Sequence, residues 1–166
     1  MERISKYQYY LNIAKEVSKR STCLNKHWGA VIVKNDVIVS TGFNGAPRKV
    51  KDCMERGYCS LQQYRQKNNL GRGTAYEYCI STHAEMNAII FANKDDMQGS
   101  TLFLYGEQIH GLDGIWSLVS NPNPCSECKK LIINAGIENV VTLDEAGNIR
   151  SVHTNNWDEN DIIGGY

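Results

Sequence analysis

His83 and Glu85 stand two residues apart, and Cys125 and Cys128 follow, three apart, with Pro124 opening the pair. One chemistry uses all of them. One imidazole and two thiolates hold zinc and leave a fourth tetrahedral position for water, as a catalytic site requires. A carboxylate beside such a metal takes up the proton that a metal-activated water gives off, so Glu85 reads as the proton shuttle. Two other readings use the same residues: a closed site with Glu85 as fourth ligand, and a redox CxxC pair. Closed zinc sites favour Cys and His over Glu, and a redox pair has no use for His83-Ala-Glu85.

The spacing also says what must position these groups. Cys125 and Cys128 lie on one face if a helix begins there. Pro124 suits helix entry, and the unpaired N–H groups at a helix start favour thiolate over thiol. In mid-helix His83 and Glu85 would point ~200° apart, since each residue turns ~100°. They serve one centre only if the metal sits over the first turn. The sequence therefore predicts two helix N-termini facing one zinc.

The surrounding elements can be read in order. Tyr7, Tyr10, Leu11, Ala14 and Val17 make the apolar stripe of a helix over Ser5–Arg20, with Ser5 as its cap. Trp28–Val33 and Val37–Val39 form a hairpin about Asn35-Asp36. Trp28 is a large residue for its place before a buried strand. Gly42-Phe-Asn-Gly45-Ala-Pro47 is a glycine-bounded loop in which backbone can approach a ligand closely. The polar stretch 48–80 carries a helix at Leu61–Leu70 and too little apolar material for a core. Ala84–Ala92 is an apolar helix, Thr101–Tyr105 a strand and Gly106–Asn123 a long loop, in which His110, Asp113 and Trp116 are candidates to approach a ligand. Ser126–Ala135 is a helix closed by Gly136, Glu138–Leu143 a strand, and Ile149–Val152 one more short strand. Helices alternating with strand pairs predict a single α/β domain over 1–166, a three-layer α/β/α sandwich with a mixed sheet of about five strands.

Composition excludes several classes. The 166 residues carry 18 basic and 18 acidic side chains, without the basic excess of a protein that grips polymeric nucleic acid. Arg65, Lys67 and Arg72 come nearest to a basic patch and read as a solvated loop. No run reaches the ~20 apolar residues of a membrane span, and MERISKYQYY has no signal-peptide core, so the expected address is cytoplasmic. In such a compartment six cysteines point to metal rather than disulfides.

His-x-Glu followed by Pro-Cys-x-x-Cys is the pattern of zinc deaminases. Gly42-Phe-Asn-Gly-Ala-Pro-Arg48, His83-Ala-Glu-Met-Asn-Ala-Ile-Ile90, Pro124-Cys-Ser-Glu-Cys128 and Leu131-Ile-Ile-Asn-Ala-Gly-Ile137 resemble the deoxycytidylate (dCMP) deaminase family of the cytidine deaminase superfamily, over roughly residues 5–143. The resemblance implies a cytidine deaminase-like fold and hydrolytic deamination of dCMP to dUMP and ammonia, which feeds thymidylate synthesis. It implies that His83, Cys125 and Cys128 hold the catalytic zinc and that Glu85 moves protons. Asn44 would hydrogen-bond the sugar, Arg48 the 5′-phosphate, and the main chain beside Ala84 and Pro124 the pyrimidine edge. Cys23 and Cys53 match ligand positions of a second, structural zinc, which Cys59 and Cys79 would complete. The resemblance further implies a homo-hexamer, dCTP and dTTP as effectors, and magnesium accompanying a nucleotide effector. The alternatives are deamination of another small cytosine compound (dCTP, cytidine) and a non-catalytic zinc-stabilised nucleotide sensor. Glu85 argues against the sensor, since a binder needs no acid beside an open zinc.

Overall fold

The computed structural model describes residues 2–110, 114–119 and 122–163. Ser5 caps the first helix, α1 (Lys6–Ser18), its side chain accepting from the Gln8 N–H. The hairpin pairs β1 (Lys26–Lys34) with β2 (Val37–Phe43), and Asn35 and Asp36 both take positive φ, as a two-residue turn between right-twisting strands requires. After β2 come two short helices, α2 (Cys53–Arg56) and α3 (Ser60–Lys67). The apolar helix α4 (Ala84–Phe91) is followed by α5 (Lys94–Met97). Then come β3 (Thr101–His110), β4 (Ile115–Leu118), α6 (Ser126–Ala135), β5 (Asn139–Leu143), β6 (Ile149–His153) and α7 (Glu159–Ile162).

The sheet runs β2-β1-β3-β5-β6, with β4 paired to β3 off this path; β3 and β5 are parallel and the other pairs antiparallel. Strand periodicity splits the core between its faces. Val31, Val33, Phe103, Tyr105 and Val141 pack on one side with Tyr10, Leu11 and Ala14 of α1. Ala30, Ile32, Leu102, Leu104 and Val140 pack on the other with Ala84 and Ala88 of α4 and Cys128 and Ile132 of α6. The result is the expected three-layer α/β/α sandwich.

Two readings need correction. The sheet has six strands, not about five, and the additional one lies inside the stretch read as a loop. β3 runs on to His110 and is paired by β4 through Glu107↔Leu118 to His110↔Ile115. The short range read for β3 followed its apolar residues; Gly106 to Gln108 are held instead by pairing to Lys26–Trp28 of β1. The second correction concerns the stretch 48–80, read with one helix at Leu61–Leu70: that helix is α3 (Ser60–Lys67), and a capping box builds α2 before it, Asp52 accepting from the Glu55 N–H and Glu55 from the Asp52 N–H. Among the described residues no helix is long and apolar enough to cross a membrane.

A candidate metal centre between two helix starts

Two helices deliver the chemistry. His83 is the N-cap residue of α4 and Cys125 that of α6, with Cys128 in the first turn of α6. A short antiparallel bridge sets His83: Gly45 N–H donates to the Thr82 carbonyl at 3.1 Å, and Thr82 N–H returns the bond at 2.8 Å. The glycine-bounded loop thus fixes the residue just before the imidazole. Helix α4 is tied to β2 by Ser40 Oγ donating to the Ala88 carbonyl (2.6 Å) and Asn87 Nδ2 donating to the Phe43 carbonyl (2.7 Å).

The ligand-type atoms converge. His83 Nδ1 lies 3.4 Å from Cys125 Sγ and 3.4 Å from Cys128 Sγ. A tetrahedral zinc with ordinary Zn–N and Zn–S lengths separates such atoms by roughly 3.6 Å. Among the described residues this is the one group of three or more His, Cys, Asp or Glu whose ligand atoms lie within 4.8 Å of one another. The donor set therefore fits zinc. The electrostatics agree, because the Cys128 thiol and N–H and the His83 ring hold Cys125 down to about 4. Cys128, donating to Cys125 and deeply buried, is raised in turn. The hydrogen bond with Cys125 raises His83 against the effect of its burial.

Glu85 is 5% exposed at the second position of α4. Burial raises its carboxyl above the ordinary range, with the nearby His83 ring opposing. A cavity of about 1050 Å³ opens onto His83, Glu85 and Cys125. Asn44, Ala84 and Pro124 line it; Arg48 does not. Asn44 is buried and already bonded, accepting from the Trp28 N–H (2.8 Å) and donating to the Lys26 carbonyl (2.9 Å). The Arg48 guanidinium lies 4.9 Å from the centroid of the Phe91 ring. Trp116 stacks on His27 at 4.0 Å. Asp113 and the side chain of His110 lie outside the described residues.

Sequence reasoning missed several cavity residues. Trp28 lines the cavity because its ring occupies the place a side chain at Gly106 would take; a Cβ there would come within 2.5 Å of it. Trp28 and Gly106 are register partners across β1 and β3, so the signal was present but 78 residues apart. Lys129, beside ligand-type Cys128, is 9% exposed and pairs with Asp161 of α7 at 2.9 Å. Both line the cavity with Asn160. The four remaining cysteines do not close into a tetrad, though Cys53 and Cys59 are buried and Cys23 and Cys79 half-buried. Burial, then the Cys59, Cys23 and Cys79 thiols nearby, pushes Cys53 up to about 11.

An α/β/α sandwich with a His–Cys–Cys group between two helix starts and a buried acid beside it defines a zinc-binding deaminase. Residues 4–144 match the cytidine and deoxycytidylate deaminase zinc-binding region, and the chain belongs to that family. It is 31% identical over 134 residues to the deoxycytidylate deaminase of Mycobacterium phage D29, covering 81% of this chain and 91% of that one. It is 29% identical to the deoxycytidylate deaminase of Schizosaccharomyces pombe over 80% of this chain, but spans only 35% of that longer protein. The dCMP deaminase of cyanophage S-TIM5, solved in complex with dCMP and dUMP, is alike in fold, with a TM-score of 0.52 and 21% identity over 86% of this chain and 85% of that one.

Proposed function

We propose that this chain hydrolyses dCMP to dUMP and ammonia, supplying dUMP for thymidylate synthesis. The observation that carries the reading is the buried Glu85 beside the His83–Cys125–Cys128 group, on a cavity with ample room for a nucleotide. The phage D29 relative is a deoxycytidylate deaminase by name and is matched over nearly its whole length. His83, Cys125 and Cys128 would hold zinc, which would supply the acidity that brings a water to a pKa of about 7.

The rest is done by the chain's own residues. Glu85 takes the proton of the attacking water and delivers it to ring N3 as C4 is attacked. It then takes the second proton from the new C4 hydroxyl and passes it to the amine, so that C4=O forms as the C4–N bond breaks and ammonia leaves. Burial suits Glu85 to this exchange, because a carboxyl raised by desolvation accepts a proton more readily than an exposed one. Main-chain groups beside Ala84 and Pro124 fix the pyrimidine edge. Asn44 holds the β1 end of the cavity, with the sugar against it.

The test is a deamination assay of the zinc-loaded protein on dCMP, CMP, dCTP, deoxycytidine and dAMP. The expected result is a kcat/KM for dCMP at least about tenfold above every other substrate. A higher value for dCTP or a nucleoside makes the chain a different cytosine deaminase, and binding without turnover of any of them makes it a nucleotide sensor.

The four remaining cysteines, Cys23, Cys53, Cys59 and Cys79, are the proposed ligands of a second, structural zinc, which would pin a stretch with little core of its own. Elemental analysis is expected to give two zinc equivalents per chain, and one for Cys53→Ser. One equivalent in both proteins overturns the second site. The hexamer, the dCTP and dTTP effectors, their magnesium and the cytoplasmic address rest on the family resemblance and the sequence alone.

A further inference from the structure

The cavity's charge is unbalanced. Its lining acids are Glu85 and Asp161, and its lining cations besides His83 are Lys26, Arg65, Arg72 and Lys129. Lys129 is spent on Asp161 and lies over the Trp157 ring, 5.4 Å from its centroid. Three cations therefore line the cavity with no ion pair among the described residues.

Two of the three belong to one built segment. Arg65 Nε donates to the Thr74 carbonyl at 2.8 Å, Nη2 donates to the same oxygen, and the guanidinium lies 4.7 Å from the centroid of the Tyr76 ring. Two of its five N–H donors are used and its plane is fixed, which leaves a preset fork. Arg72 sits in the turn that Thr74 closes by donating to the Gly71 carbonyl (2.9 Å), and it has no hydrogen bond or ion pair among the described residues. The segment is fastened where it returns: Ser60 Oγ donates to the Tyr78 carbonyl (2.9 Å), and the Tyr64 and Tyr78 rings stack at 3.4 Å. Lys26 stands apart from that segment, an exposed ammonium that offers a point charge without the planar fork that matches phosphate.

We propose that Arg65 and Arg72 hold the 5′-phosphate of the substrate and thereby set the preference for nucleotide over nucleoside. The inference rests on the proposed deamination of dCMP. A pyrimidine presented to Glu85 must place its phosphate elsewhere in the same cavity, and a dianion there needs charged, unspent donors, best of all guanidinium forks. Arg48, over Phe91 and outside the lining, does not meet that need. The pair that reads from sequence as a solvated loop thus becomes a recognition element through its place in the fold.

The experiment compares Arg65→Gln, Arg72→Gln and Lys26→Met in the zinc-loaded protein, on dCMP and on deoxycytidine. Each arginine variant is expected to lose at least about tenfold in kcat/KM for dCMP while changing less than about twofold for deoxycytidine. Lys26→Met is expected to stay within about threefold on both. If nucleoside turnover is too slow to follow, deoxycytidine as a competitive inhibitor gives the same comparison: its Ki should hold while KM for dCMP rises. Equal losses on both substrates make Arg65 and Arg72 scaffolding only. An unchanged ratio, or the selective loss appearing in Lys26→Met, places the phosphate elsewhere. Failure of the unmutated protein to deaminate dCMP rejects the substrate assignment itself, a result separate from any of these.

Discussion

Glu85→Gln is expected to lower kcat at least about a thousandfold while leaving zinc content and the thermal midpoint where they are. General acid–base catalysis contributes roughly a hundred- to ten-thousandfold, and here a single carboxyl serves water, ring N3 and the leaving amine in turn. The amide fills nearly the same volume in the first turn of α4 and cannot carry a proton between them. Folding should tolerate it, because Glu85 is 5% exposed and burial disfavours its charged form. Steady-state turnover on dCMP, metal analysis and a melting curve on the same preparation separate the outcomes. Undiminished turnover removes Glu85 from the mechanism. Loss of zinc together with turnover makes it a fourth ligand, which is the closed-site alternative.

What the sequence disclosed and what it withheld divide along a physical line. Metal ligation restricts residue type and local spacing at once, so His83, Cys125 and Cys128 were visible, and the period of a helix forced the deduction that the metal lies over two helix starts. The structure places His83 and Cys125 as the two N-cap residues. Apolar period likewise disclosed α1, α4 and α6, because burial is the dominant stabilising term and imprints itself locally. Pairings over long separations left no such imprint. Trp28 looked anomalous because its explanation, Gly106, lies in another strand. Lys129 drew no notice in the sequence because Asp161 belongs to a four-residue polar helix with no apolar stripe; only its capping box, Asp158 with Asp161, foretells α7. Arg48 and Arg65 carry the same charge, and which of them reaches the cavity depends on how the polar stretch 48–80 is folded. No periodicity encodes that.

Gly42→Ala should cost the protein both stability and catalysis, and more of the second than Gly29→Ala does. A Cβ at residue 42 would meet the Ala84 carbonyl oxygen and the Ala88 nitrogen at 2.3 Å each, and the Ala88 Cα at 3.0 Å. All three are backbone atoms of α4 or its first turn, so no side chain can swing aside, and the helix must lift by about 1 Å to restore ordinary contact. Overpacking of this kind costs about 3 kcal/mol, which lowers the midpoint of a chain this size by roughly 6–12 °C. The same lift strains the Ser40–Ala88 and Asn87–Phe43 hydrogen bonds that seat α4, and it carries His83 and Glu85 away from Cys125 and Cys128. Misplacement by about 1 Å is worth roughly a hundredfold in rate. Gly29→Ala is the matched control. Its Cβ would meet the Ala14 carbonyl oxygen at 2.0 Å and the Ser18 nitrogen at 2.5 Å, so it lifts α1 from the opposite face of the same sheet. It is expected to lower the melting midpoint at least as far, while leaving kcat per folded, zinc-loaded molecule within about threefold. Equal catalytic damage from both glycines would mean that the sheet as a whole, and not the seating of α4, holds the two halves of the centre in register.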